Sequence, residues 1–414
     1  MTDGQANHDS PIAESLSRGR PGLVMMTTAA VTLRFLRGQV QFLTDAGFDV
    51  ALMSSPGQEL DEASSGRHIR AVAIAMKRRP SPISDVVSLW KVVAALRQLR
   101  PTIVSASTPK AGLLGMIAAT VTRVPARHYL IRGLPLATAP RWQKPLLWLM
   151  ERAACGLAHR VQCVSASLRD DVIRRQLCRP HKCIVLGRGS SNGVDAEGRF
   201  TPATTISRSQ VRATLGLSPT SVVVGFVGRL CQDKGIVELW TAWQIIAARY
   251  TQAELVILGQ TELDEIESKR AFDSLKSAPR VTVISEFRDA KWYFDCMDLL
   301  VHPSHREGLP NVCLEAAAMA LPVVTTDAVG CRDSVIDGVT GRIVPVGDGV
   351  AVAHAVGDYI DSPSMRAEHG AAGRVRVLQD FHPVDVWGAQ SGLFEQMMAM
   401  SRVQSRLCGE RAHD

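Results

Sequence analysis

Glu307-Gly308-Leu309-Pro310-Asn311-Val312-Cys313-Leu314-Glu315 places two carboxylates eight positions apart across a loop-to-helix junction. Upstream, the apolar run 299–301 reads as a strand that Pro303-Ser304 breaks. Downstream, residues 311–320 are strong helix formers behind a proline suited to a first helical turn. Glu307 is therefore expected in the loop above a strand end, and Glu315 on the first turns of the helix. In an open α/β sheet that crevice is where ligands bind. The amides of Leu309 and Asn311 point into it, and a helix N-terminus favours anions. Taken alone, the spacing fits better a solvated loop acid followed by an ordinary first-turn acid.

The grammar around this stretch repeats along the chain. Strands are expected at 24–30, 50–54, 69–75, 103–106, 127–131 and 160–164, with helices at 33–46 and 85–99. From Ser221 the pattern restarts, with strands at 222–227, 254–258, 281–284, 299–301 and 323–325. Strands alternating with helices predict parallel, doubly wound sheets. At 414 residues the chain exceeds one core, so two α/β domains are expected. Gly, Asp and Pro cluster at 193–202 as the linker. The division is a polar, disordered tail at 1–20, domains at 21–200 and 201–380, and a helix at 381–401.

Composition narrows the function. With 46% apolar and 21% charged residues the chain is an ordinary soluble globular protein, and 5% aromatic content excludes extended base-stacking platforms. Nine cysteines without a C-x-x-C pair suit a reducing cytoplasm better than a disulfide scaffold or zinc ribbon. Residues 1–200 carry 27 Lys+Arg against 14 Asp+Glu, or +13; the remainder carries 20 against 26, or −6. A basic first half fits phosphates, nucleic acid or an anionic membrane face, or simply a solvated surface. The acidic second half and the lack of a base-reading motif disfavour a nucleic-acid-binding protein. The first strand, ending near Thr27-Thr28-Ala29, lacks the G-x-G-x-x-G fingerprint of nicotinamide oxidoreductases. No run approaches the length of a spanning helix, and Arg18-Gly19-Arg20 before a short apolar run is a poor export signal. A cytoplasmic protein is expected. Arg141-Trp142-Gln143-Lys144-Pro145-Leu146-Leu147-Trp148-Leu149-Met150 mixes cations, tryptophans and aliphatics. It suits either a membrane interface or a core-facing helix.

His302-Pro303-Ser304-His305-Arg306-Glu307-Gly308-Leu309-Pro310, then Glu315-Ala316, Leu321-Pro322-Val323-Val324-Thr325-Thr326 and Gly341-Arg342-Ile343-Val344-Pro345 form one series of motifs. A second runs Val222-Val223-Val224-Gly225-Phe226-Val227-Gly228-Arg229-Leu230, then Asp233-Lys234-Gly235. Together they resemble the nucleotide-sugar site of family 4 (group 1) retaining glycosyltransferases. Val329-Gly330-Cys331-Arg332-Asp333 resembles the branch that assembles bacterial polysaccharides and lipid-linked saccharides. The resemblance covers nearly the whole chain; its motifs are specific in 222–348 and softer before. It implies the GT-B fold, two Rossmann-like domains facing a central cleft, with the C-terminal helix crossing back to the first. It also implies a sugar nucleotide donor, UDP-sugar favoured, and an acceptor linked to polyprenyl diphosphate. A nucleotide-sugar epimerase on the same fold is the alternative.

By this resemblance Arg229 and Lys234, in the loop after the strand ending at Gly228, bind the donor diphosphate and stabilise the departing nucleotide. Charge-assisted contacts of that kind are strong where water is excluded. Glu315 accepts from the ribose hydroxyls, while Glu307, with Gly308, Leu309, Pro310 and Asn311, lies at the transferred sugar. Phe287 and Arg288 border the base or merely pack. No metal or other cofactor is needed where cationic side chains neutralise the phosphates, and no Asp-x-Asp tandem is present. In the first domain, Lys110 in Thr108-Pro109-Lys110-Ala111-Gly112 is the candidate for an acceptor phosphate, or a solvated lysine. Arg132-Gly133 stands where related enzymes often carry His-Gly, so Arg132 is expected to face a phosphate instead. Because Arg229 and Lys234 lie on a loop, replacing either is expected to spare the fold.

Overall fold

The computed structural model describes residues 19–36, 38–65, 69–77, 81–263, 265–286 and 289–410, side chains excepted at 64, 65 and 404–410. Most of the expected tail thus lies outside the described residues. The first half forms a seven-stranded parallel sheet: β1 (Gly22–Met26), β2 (Asp49–Ser54), β3 (Arg70–Ala73), β4 (Ile103–Ser107), β5 (Ala126–Ile131), β6 (Arg160–Cys163) and β7 (Cys183–Ile184). Its order is β3-β2-β1-β4-β5-β6-β7. The second half forms a six-stranded one: β8 (Val222–Val227), β9 (Ala253–Leu258), β10 (Val281–Ile284), β11 (Leu299–His302), β12 (Val323–Thr326) and β13 (Gly341–Val344), in the order β10-β9-β8-β11-β12-β13. Central strands such as β1, β4, β8 and β11 are buried almost throughout because helices cover both faces. The two doubly wound sheets are the GT-B architecture.

Three local departures have physical causes. The first strand stops at Met26, and a 3-10 helix runs over Ala30–Leu36. Threonine side chains end it: Thr27 donates to the Ala29 carbonyl, and the Thr28 and Thr108 hydroxyls pair at 2.7 Å. Strand β7 has only two residues, too few for a periodicity signal. Strand β13 opens on Gly341, which has the look of a breaker. A Cβ there would meet the Val323 carbonyl oxygen at 2.1 Å, so the glycine is what allows pairing with β12.

The helix Pro383–Glu410 packs on residues of the first half. Phe394 sits edge-on to Phe48 (6.1 Å) and to His128 (5.3 Å), and Trp387 packs on Phe42 at 5.9 Å. Leu393, Phe394, Met397 and Met398 share one core with Leu23, Leu43 and Leu52 of the first half.

Candidate active site

In each sheet the chain reverses its direction of progress between two central strands, β1 and β4 in the first, β8 and β11 in the second. Loops diverge at that point and leave a crevice above the strand ends. The second crevice gathers the expected donor residues. The loop after β8 carries Arg229 and Lys234, and the loop after β11 carries Glu307. Gly235 makes their approach close: its φ is +74°, and a Cβ would meet the Pro303 carbonyl oxygen at 2.0 Å. Asp233 locks the two loops, its carbonyl accepting from the Ser304 hydroxyl (2.8 Å) and the His305 amide (2.9 Å).

At the centre, Glu307 receives the Lys234 ammonium directly, both side chains being 15% exposed. His302 Nε2 stands 2.9 Å from the same Glu307 oxygen. Burial works to raise the Glu307 carboxyl, yet Lys234 and then His302 hold it well below its ordinary value. Burial lowers His302, so the ring is neutral near pH 7. An ionised carboxylate only accepts, so the proton sits on Nε2, leaving Nδ1 buried without a partner among the described residues. Glu307 is thus held as an anion at neutral pH. Lys234 is therefore not a free loop cation, because its charge balances the partly buried Glu307 carboxylate.

Arg229 is half exposed and pairs with Glu262 at 2.5 Å. Burial opposes its charge, but Glu262 outweighs that and raises its pKa. The guanidinium thus lies at the crevice mouth. Gly259 lets the loops after β8 and β9 close up: a Cβ there would stand 1.7 Å from the Gly228 carbonyl oxygen. Glu315 lies on the helix Asn311–Ala318, half-buried, and no described residue hydrogen-bonds its carboxylate. Burial raises its pKa to about 7, with Arg199 opposing and Asp289 reinforcing. Glu307 and Glu315 therefore occupy separate electrostatic surroundings. Arg199, paired with Asp289 at 2.8 Å, was given no role by the sequence because it sits at the linker's end, far from any motif. Phe287 and Arg288 lie outside the described residues.

From the first sheet, the Arg132-Gly133 turn comes down on the donor loop. A Cβ at Gly308 would meet the Arg132 carbonyl oxygen at 2.0 Å, so only glycine fits. The Arg132 guanidinium donates through Nη1 to Asn192 Oδ1 at 3.0 Å, while Nε and Nη2 are buried with no partner among the described residues. Burial lowers its pKa to about 10, so it remains a cation. Asn192, its orienting partner, carried no signal in the sequence. Lys110, in the first turn of the helix Pro109–Val121, is committed to a partner of its own. It is buried and ion-paired with Asp85 at 2.7 Å, and the Ala111 amide is taken by the Thr28 hydroxyl at 3.2 Å. The helix start that looked open to an anion is satisfied internally.

Helices Pro82–Leu99, Pro109–Val121 and Lys144–Leu157 lie side by side on the first sheet, their N-termini at the cleft edge. Ile83 (85% exposed), Val86, Val87 and Trp90 (67%) form an outward stripe at helical spacing, and Trp142 (78%), Leu146 and Leu149 form another. Trp148 does not join them: its indole donates to the Arg175 carbonyl at 2.9 Å, and Arg152 stacks on it. Residues 86–150 contain nine Lys+Arg and no Asp or Glu. No helix among the described residues is long and apolar enough to cross a membrane.

Residues 221–362 match the family model for glycosyl transferases group 1, and residues 32–189 that for the glycosyl transferase 4-like domain. The chain is 34% identical over 376 residues to the capsular polysaccharide biosynthesis glycosyltransferase CapM of Staphylococcus aureus, covering 91% of this chain and 97% of that one. It is 26% identical over 316 residues to the UDP-Gal:alpha-D-GlcNAc-diphosphoundecaprenol alpha-1,3-galactosyltransferase of Escherichia coli, covering 75% and 79%. Sucrose-phosphate synthase (tll1590) from Thermosynechococcus elongatus superimposes with a TM-score of 0.77 at 18% identity, over 92% of this chain and 100% of that one, a likeness of fold.

Proposed function

Because the chain belongs to the group 1 (family 4) glycosyltransferases, in the branch that assembles bacterial polysaccharides, we propose that it transfers a sugar from a nucleotide diphosphate sugar to a hydroxyl of a lipid-linked saccharide. A UDP-sugar is the favoured donor, the anomeric configuration is retained, and no metal ion takes part. The observation that carries this reading is the Lys234–Glu307–His302 cluster at the switch point of the second sheet, with Arg229 at its mouth. In the transfer, the bond from the anomeric carbon to the diphosphate breaks and the nucleotide leaves with the electron pair. The acceptor oxygen bonds to that carbon, and its proton passes to the departing phosphate oxygen. Lys234 and Arg229 meet the developing negative charge, each such donor contributing a few kcal/mol. Glu307, an anion throughout, steadies positive charge at the anomeric carbon and holds sugar hydroxyls. Glu315 anchors the ribose, and the two unpartnered Arg132 nitrogens face an acceptor phosphate.

The enzyme works on the inner face of the cell membrane, held peripherally, where soluble donors meet a polyprenyl-diphosphate-linked acceptor. Two exposed apolar stripes, all but Ile83 within the acid-free basic stretch 86–150, support this, as does the lipid-linked acceptor named for the Escherichia coli relative. The test is donor consumption across UDP-, GDP- and ADP-sugars, with and without polyprenyl-diphosphate saccharides and with excess EDTA. Acceptor-dependent transfer that survives EDTA is expected. Turnover of donor to an isomer without acceptor would mark an epimerase, and loss in EDTA restored by magnesium or manganese would overturn the metal-free reading.

A further inference from the structure

The segment Val329-Gly330-Cys331-Arg332-Asp333 has no part in the donor site as described, yet it is where the two halves of the chain meet. Asp333, on the short helix Cys331–Ser334, turns its carboxylate across the interface. One oxygen accepts from the Ser167 amide at 3.1 Å, and the other accepts from the Ser167 hydroxyl. Ser167 lies in the first turn of the helix Ala166–Arg174 of the first half, so a carboxylate from the second half caps that helix. The same hydroxyl accepts from the Gly330 amide at 2.8 Å. Next to it, buried Ser165 donates to the Gly308 carbonyl at 2.6 Å. Gly330 has φ +83°, and a Cβ would stand 2.5 and 2.6 Å from the carbonyl oxygens of Gly308 and Glu307. The Glu307 amide in turn donates to the Val329 carbonyl at 3.0 Å. From behind, Arg376 donates to the carbonyls of Asp333 and Ser334 at 2.6 and 2.7 Å.

Ser167, Asp333, Gly330 and the Glu307-Gly308 loop are thus one hydrogen-bonded unit spanning the interface. We infer that Ser167 and Asp333 form an interdomain latch that holds the Glu307-Gly308 loop against Arg132-Gly133, making both of them positioning residues for the transfer. This inference rests on the transferase reading above. The latch leaves nucleotide binding untouched, because Lys234, Arg229 and Glu315 belong to the second half alone. It sets instead the distance between the donor's sugar and the acceptor side, to which reaction rates are steeply sensitive.

The experiment compares the full chain with Asp333→Ala, Ser167→Ala, the double variant and Ser167→Thr, which keeps the hydroxyl. Both alanine variants are expected to lose about tenfold or more in kcat. UDP affinity should stay within about twofold, and the double variant should be no worse than Asp333→Ala, as members of one unit behave. Ser167→Thr should recover most of the rate. Small-angle scattering should show Asp333→Ala more extended than wild type. Wild-type kcat in both alanine variants, losses that multiply, or an unchanged radius of gyration each overturn the latch. Should wild type bind no nucleotide, the transferase reading fails, and scattering still decides whether Asp333 joins the halves.

Discussion

Replacing Lys234 by alanine tests the site's electrostatics most directly. Glu307 and Lys234 are each only 15% exposed, so solvent screens the pair weakly, and removing one partner strands a buried carboxylate. Breaking such a pair typically costs about 3–5 kcal/mol. The protein has an escape, which is to protonate Glu307. For a carboxyl with an ordinary value of 4.5, protonation at pH 7 costs about 3.4 kcal/mol, which caps the loss near the lower end of that range. The sign of the pH dependence follows. In wild type the Glu307 pKa is depressed, so its contribution is present above about 4.5 and is lost as pH falls below that value. Without Lys234 burial dominates and the pKa rises, so the variant's deficit grows with pH and shrinks toward pH 5. Urea unfolding at pH 5, 7 and 8 measures this, with Lys234→Ala/Glu307→Gln as the control. The double variant removes the stranded charge and should recover most of the stability while remaining inactive. A deficit below about 1 kcal/mol at pH 8, or one independent of pH, would refute the reasoning.

Two further outcomes follow from other parts of the site. Glu315, with a pKa of about 7, accepts from two ribose hydroxyls best when ionised, so nucleotide binding should release a proton. The dissociation constant for UDP should therefore fall as pH rises from about 6 to 8, and Glu315→Gln should flatten the curve; calorimetry in buffers of different ionisation heat counts the proton. For the membrane face, Ile83→Ser/Trp90→Ser should weaken sedimentation with anionic vesicles at low salt while leaving transfer to a short soluble acceptor unchanged. Equal retention of wild type and variant would remove that helix from the contact.

Much of the fold was legible in the chain itself. Apolar runs such as 222–227 and 299–301 are strands in the sequence and strands in the structure, since a strand buried on both faces has no choice but to be apolar throughout. Glu307, Lys234 and Arg229 were legible as one site for a related reason. Each follows a strand directly, and parallel strands all deliver their following loops to the same sheet edge. What one side chain does to another was not legible. That Lys234 neutralises Glu307, that Lys110 is consumed by Asp85, and that Trp142 is bare while Trp148 is packed depend on distances between residues far apart in sequence. The same holds for Asp333, a motif residue whose partner, Ser167, lies 166 positions away on the other sheet's helix. Local periodicity records which face of an element is buried, but only the docking of the two sheets decides which charges meet across the cleft.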